Sequence, residues 1–176
     1  MAECKRFKPD TTKQETESAR WLHLLQCAKA AATQSLDPNT KLGCVIVDRT
    51  GAVAIEACNT FIRGIAVTPE RLERPAKYTY IEHAERNACF SAAKRGFCMD
   101  GCTMVMSCNP VPCAECARAI VQSGVKRVVG PDMSQTASSK WDTSCSVGEQ
   151  LLTEAGVILT FVDPKTGCIT KSIGEP

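Results

Sequence analysis

The chain has 176 residues, 44% of them hydrophobic, and a formal net charge of +2. That is the size and balance of one globular domain with a single core, and it excludes a disordered chain. The near-neutral charge gives little reason to expect a nucleic-acid or membrane-surface partner, since such a face needs an excess of cations. No run is long enough to span a bilayer, and the start MAECKRFKPDTTKQETE has no apolar signal core. The twelve cysteines are therefore read as mostly reduced thiols of a cytoplasmic protein, not as a disulfide framework.

Residues 1–16 are polar and are set apart as an N-terminal tail; one domain is expected over residues 17–163. Residues 18–34, SARWLHLLQCAKAAATQ, place Trp21, Leu24, Leu25 and Ala28 on one face, which predicts an amphipathic helix broken by DPNT. LGCVIVD and AVAIEAC flank RTGA and predict a hairpin with a glycine turn. Residues 60–77 hold two prolines and no clear period, and are read as a functional loop. A helix is predicted from about Glu82 to about Arg95, stopped by Gly96. The strand CTMVMS, the loop CNPVP, a helix over residues 113–123, the strand VKRVVG, a helix over residues 143–155 and the strand VILTFV follow. Residues 164–176 are set apart as a C-terminal tail. Strands alternating with helices predict an α/β three-layer sandwich, its central sheet covered on both faces.

The chemistry is concentrated in EHAERNAC and PCAEC. His83 is one of only two histidines, and Cys113 and Cys116 stand three apart at the start of a predicted helix. There both sulfurs can face one point, and the positive end of the helix favours thiolates. Two thiolates and an imidazole suit zinc, and three protein ligands leave a fourth position for water, as in catalytic sites. Zinc lowers the pKa of such a water to about 7. Glu85, two residues past His83, is placed to move protons from that water to a ring nitrogen and then to departing ammonia. The pattern H-x-E…P-C-x-x-C is an established signature of zinc nucleobase deaminases.

With DPNTKLGCVIV, Asn59, EHAERNAC, PCAECARAIVQSGVKRVV and EAGV, the chain resembles the cytidine and deoxycytidylate deaminase superfamily over residues 18–162. Within it, the chain is most similar to the deoxycytidylate (dCMP) deaminases. The resemblance implies a five-stranded mixed sheet between helix layers and a homo-oligomer. It assigns His83, Cys113 and Cys116 to zinc and Glu85 to proton transfer. It also assigns the backbone of Ala84 to the pyrimidine carbonyl and Asn59 to the sugar or base, although Asn59 also suits a strand-end turn. Two departures stand out: ACNTFIRG replaces the family's NGxP pattern, and Cys108 occupies a position at which many relatives carry threonine or leucine.

A nucleotide monophosphate needs cationic donors near its ribose. Arg63, Arg71, Arg74 and Lys77 crowd the loop before the catalytic helix, and Arg118 follows Cys116. Arg74 and Lys77 are the phosphate candidates, and Trp141 is a pocket wall or a core residue. The expected reaction is hydrolysis of dCMP to dUMP and ammonia. The alternatives are a deaminase of another cytosine-like or aminated heterocycle, and a non-catalytic zinc module, against which Glu85 argues.

Overall fold

The computed structural model describes residues 11–133 and 142–174. In chain order its elements are α1 (Thr11–Ala32), β1 (Gly43–Val47), β2 (Val53–Cys58), β3 (Thr60–Phe61), α2 (Pro69–Leu72), α3 (Lys77–Tyr80), β4 (Ile81–Glu82), α4 (Ala84–Arg95), β5 (Thr103–Met106), α5 (Ala114–Gln122), β6 (Arg127–Pro131), α6 (Asp142–Glu154), β7 (Ile158–Val162) and β8 (Ile169–Ile173).

Side-chain alternation sets the layers. Every residue of β1 is buried, and successive side chains of a strand point to opposite faces. Val45 and Val47 thus cluster with Trp21, Leu24 and Leu25 of α1, together with Val105 and Val129. Cys44 and Ile46 cluster instead with Ala84, Ala88 and Ala92 of α4, Ala117 and Ile120 of α5, and Leu152 of α6. The small residues at four-residue intervals along α4 form its buried face and let the helix lie close to the sheet. This is the three-layer α/β sandwich expected from the sequence.

The main sheet is mixed, in the order β2-β1-β5-β6-β7-β8. β1 runs antiparallel to both β2 and β5. β5, β6 and β7 are parallel, with α5 and α6 in the connections that parallel neighbours require. The sheet has six strands where five were expected, because β8 pairs antiparallel with β7 inside the stretch set apart as a C-terminal tail. Its first three residues are exposed, so this edge strand carries no apolar signature. The N-terminal boundary also shifts: α1 starts at Thr11, in a run with no apolar residue to betray it. The stretch of residues 60–77 begins in β3, which pairs with β4 in a two-stranded sheet, and carries α2, elements too short to show a period.

Candidate active site

Two helix N-termini converge on one spot. His83 is the N-cap of α4, with φ −68° and ψ 151°, and Cys113 is the N-cap of α5, with φ −67° and ψ 163°. The same extended backbone state thus ends both approaches. Cys116 and Glu85 sit in the first turns of these helices, 0% and 4% exposed. Outside the site, Arg86 bridges Glu82 and Glu115 at 3.2 and 3.6 Å, tying the two helix starts together.

His83 Nδ1 lies 3.6 Å from Cys113 Sγ and 3.4 Å from Cys116 Sγ. Zinc with Zn–S of about 2.3 Å and Zn–N of about 2.0–2.1 Å sets tetrahedral N and S ligands about 3.5 Å apart. The donor set therefore fits zinc both in chemistry and in spacing, and it is the only such group among the described residues. A hydrogen bond from Cys116, joined by one from His83, holds Cys113 down at about 4. The same hydrogen bond raises Cys116; a dication is the partner that lets both sulfurs ionise. Contact with Cys113 raises His83.

Glu85 lines the same cleft as His83, Cys113 and Asn59, a cavity of about 250 Å³. Burial lifts its carboxyl above the ordinary value, partly opposed by His83. Cys108 also lines the cleft, and burial pushes its thiol up to about 12, so it is a neutral wall. Two glycines leave room for the loop between β5 and α5 to pack closely. A Cβ on Gly130 of β6 would stand 2.3 Å from the Cys108 carbonyl oxygen, and one on Gly148 of α6 would stand 2.1 Å from that of Pro112. Any larger residue at either position would push the loop carrying Cys113.

The opposite wall brings some of the expected residues together and scatters others. Asn59 is buried; its Nδ2 donates to the Thr40 carbonyl at 2.7 Å and its Oδ1 accepts from the Leu42 amide at 2.8 Å. Ala84 has its side chain in the core, and its amide is one of the first-turn donors that a helix cannot satisfy internally. Arg74 and Lys77 both line the cleft. Arg74 is exposed, 5.9 Å from the Tyr78 ring, and in no ion pair among the described residues. Lys77 is buried against Asp37. The other cations disperse: Arg71 donates to the Ala66 carbonyl, Arg118 pairs with Glu115, and Arg63 borders a separate depression beside Phe90. Trp141 lies outside the described residues.

Asp37 and Tyr78 of the cleft lining were missed by sequence reasoning. Asp37 carried a signal, because DPNT is an Asx-turn sequence: its Oδ1 accepts from the amides of Asn39 and Thr40 at 2.8 and 3.0 Å. Burial alone would raise this carboxyl, but the Lys77 ammonium and the two amides together hold it below its ordinary value.

The arrangement defines a class: an α/β domain built around one transition-metal site with a buried carboxyl beside it. Residues 19–130 match the cytidine and deoxycytidylate deaminase zinc-binding region, and the chain belongs to this family of zinc deaminases. The matched region contains His83, Glu85, Cys113 and Cys116. The chain is 28% identical over 145 residues to an uncharacterized deaminase in the luxG 3′ region of Aliivibrio fischeri, covering 82% of this chain and 95% of that one. It is 35% identical over 108 residues to a probable deoxycytidylate deaminase of Caenorhabditis elegans, covering 59% of this chain and 53% of that one. With the human deoxycytidylate deaminase it shares 32% identity over 113 residues, 61% of each chain. The chain thus spans little more than half of these last two relatives. In fold it is similar to the dCMP deaminase of cyanophage S-TIM5, with a TM-score of 0.59 and 21% identity over 87% of this chain and 98% of that one. That enzyme is also known in complex with dCMP and dUMP. No helix among the described residues is long and apolar enough to cross a membrane.

Proposed function

We propose that the chain is a zinc-dependent hydrolase that converts dCMP and water to dUMP and ammonia. One observation carries the reading: a buried glutamate lines the same cleft as His83 and Cys113, two members of a His–Cys–Cys donor set spaced for zinc. The chemistry supplied by a bound zinc is acidification of water, to a pKa near about 7. Glu85 takes the proton of the attacking water and delivers it to the ring nitrogen beside the reacting carbon. Glu85 then takes the remaining proton of the added hydroxyl and gives it to the exocyclic amine, so that the C–N bond breaks with ammonia leaving and a carbonyl forming. A carboxyl lifted by burial suits this work, because a proton carrier is most effective with a pKa close to the working pH.

Asn59 keeps one amide hydrogen beyond its bond to Thr40, a donor for the sugar or base. The Ala84 amide is the donor for the pyrimidine carbonyl, and Arg74 at the cleft mouth is the cation for the 5′-phosphate. A homo-oligomer, which the family resemblance implies, belongs to the same proposal and is read by sedimentation.

The test is ammonia release by zinc-loaded protein from dCMP, CMP, deoxycytidine, cytidine and aminated purines and pterins. Preference for dCMP supports the whole reading. A second reading, an unphosphorylated substrate, is favoured by the engagement of Lys77 inside the protein, which leaves Arg74 as the exposed cation of the described cleft lining. Equal turnover of deoxycytidine and dCMP selects it.

A further inference from the structure

Lys77 is only 2% exposed although it lines the cleft. An ammonium has three donors, and three acceptors within the protein take them. Nζ donates to Asp37 Oδ1 at 2.8 Å, to Asp37 Oδ2 at 2.9 Å and to Asn39 Oδ1 at 3.2 Å. The Asp37 carboxylate in turn accepts from the amides of Asn39 and Thr40, so its loop is wound around the charge. The next carbonyl in this run, that of Thr40, accepts from Asn59 Nδ2 at 2.7 Å, and Asn59 Oδ1 fixes the Leu42 amide at 2.8 Å. A continuous series of hydrogen bonds thus leads from α3 through the loop to the residue after β2, and ends on a side chain facing the cleft.

We propose that Asp37 and Lys77 form a buried strut that orients the Asn59 amide, and that Lys77 does not bind a substrate phosphate. Both are positioning residues; the substrate half of the proposal rests on the dCMP reading above. A lysine at a phosphate site serves as a mobile point charge on a flexible stem. Lys77 could reach an anion only by breaking a buried ion pair and leaving Asp37 uncompensated, which is unfavourable. With the strut intact, the Thr40 carbonyl stays where Asn59 needs it, and the free amide hydrogen of Asn59 points to one place. Without it, the loop of residues 37–40 has lost the cation that neutralises the Asp37 carboxylate around which its amides are wound. Asn59 then loses the fixed anchor for its donor side.

The test uses the zinc-loaded full chain with Lys77→Met, and the pair Asp37→Asn/Lys77→Met as the variant that leaves no unpaired buried charge. Amide hydrogen exchange reads the strut without any substrate. Faster exchange at both Thr40 and Leu42, at unchanged zinc content, is the expected result. Faster exchange at Thr40 with Leu42 unmoved would show that the strut does not reach Asn59. In kinetics, KM for dCMP and for deoxycytidine should rise together, by about tenfold, and Lys77→Met should add less than about twofold in an Asn59→Ala background. A selective loss of dCMP turnover over deoxycytidine turnover would make Lys77 a phosphate ligand and overturn the proposal, as would a full effect in the Asn59→Ala background. If the unmodified chain turns over neither compound, the dCMP reading falls, and hydrogen exchange decides the strut alone.

Discussion

The two ends of the cleft are built by different rules. At the metal end, His83, Glu85, Cys113 and Cys116 ride on the caps and first turns of two helices. Helix geometry fixes the relative positions within each pair, so sequence spacing is enough to describe them. At the opposite wall, Asp37, Asn59, Arg74 and Lys77 come from a loop, a strand end and the segment that becomes α3. Their mutual positions depend on hydrogen bonds between residues as far as 40 apart in sequence. The donors and carboxyl of the first end are therefore placed within each helix start by local geometry, whereas the residues of the opposite wall are placed by tertiary contacts.

The largest expected effects fall at the metal end. Cys113→Ala should abolish both stoichiometric zinc and ammonia release, measured by metal analysis and by assay of the same sample. Glu85→Gln should keep zinc and lose about 10³–10⁴-fold in kcat, at the upper end of what one acid–base group contributes. Full activity in this variant would remove Glu85 from proton transfer. Gly148→Ala tests whether the metal end is purely local. Its added Cβ meets the Pro112 carbonyl, and a drop of about 10–100-fold in zinc affinity, the scale of supporting-shell changes, is expected in a chelator competition. Unchanged affinity would mean that the loop before α5 holds its place without α6.

Effects at the opposite wall are smaller and more selective. Arg74→Ala should raise KM for dCMP by about tenfold, the scale of one charge-assisted hydrogen bond, and leave deoxycytidine unaffected. Parallel changes for both compounds would place the phosphate elsewhere. The smallest effect is a stability term from Asp37. Because folding lowers its pKa, its contribution is fully present above the ordinary carboxylate range. It is lost as pH falls through the still lower folded value. Thermal melts in acid should therefore show a shallower loss of Tm for Asp37→Asn/Lys77→Met than for the unmodified chain.

Much of the fold was legible because its elements carry strong periods or stops. Gly96 ends α4 in the left-handed conformation, with φ 67°, and the apolar runs of β1, β5, β6 and β7 are strands buried in the sheet. β8 was not legible, since an exposed edge strand needs no apolar alternation. Of the basic residues before α4, Arg63, Arg71, Arg74 and Lys77 look alike in sequence. Only the packing of α3 against the loop of residues 37–40 buries the last of them.

The sequence by itself determined that His83 with Glu85 and Cys113 with Cys116 sit at the starts of two helices, because a helix start imposes its geometry on residues two or three positions apart. It also determined the layered α/β class, through the alternation of apolar runs. Tertiary structure alone decided that the tail after β7 becomes a sixth strand, that Gly130 and Gly148 clear space for the metal loop, and that Lys77 turns inward to Asp37. These are contacts between segments distant in the chain, and residue type does not specify which partner a charge or a small side chain will meet.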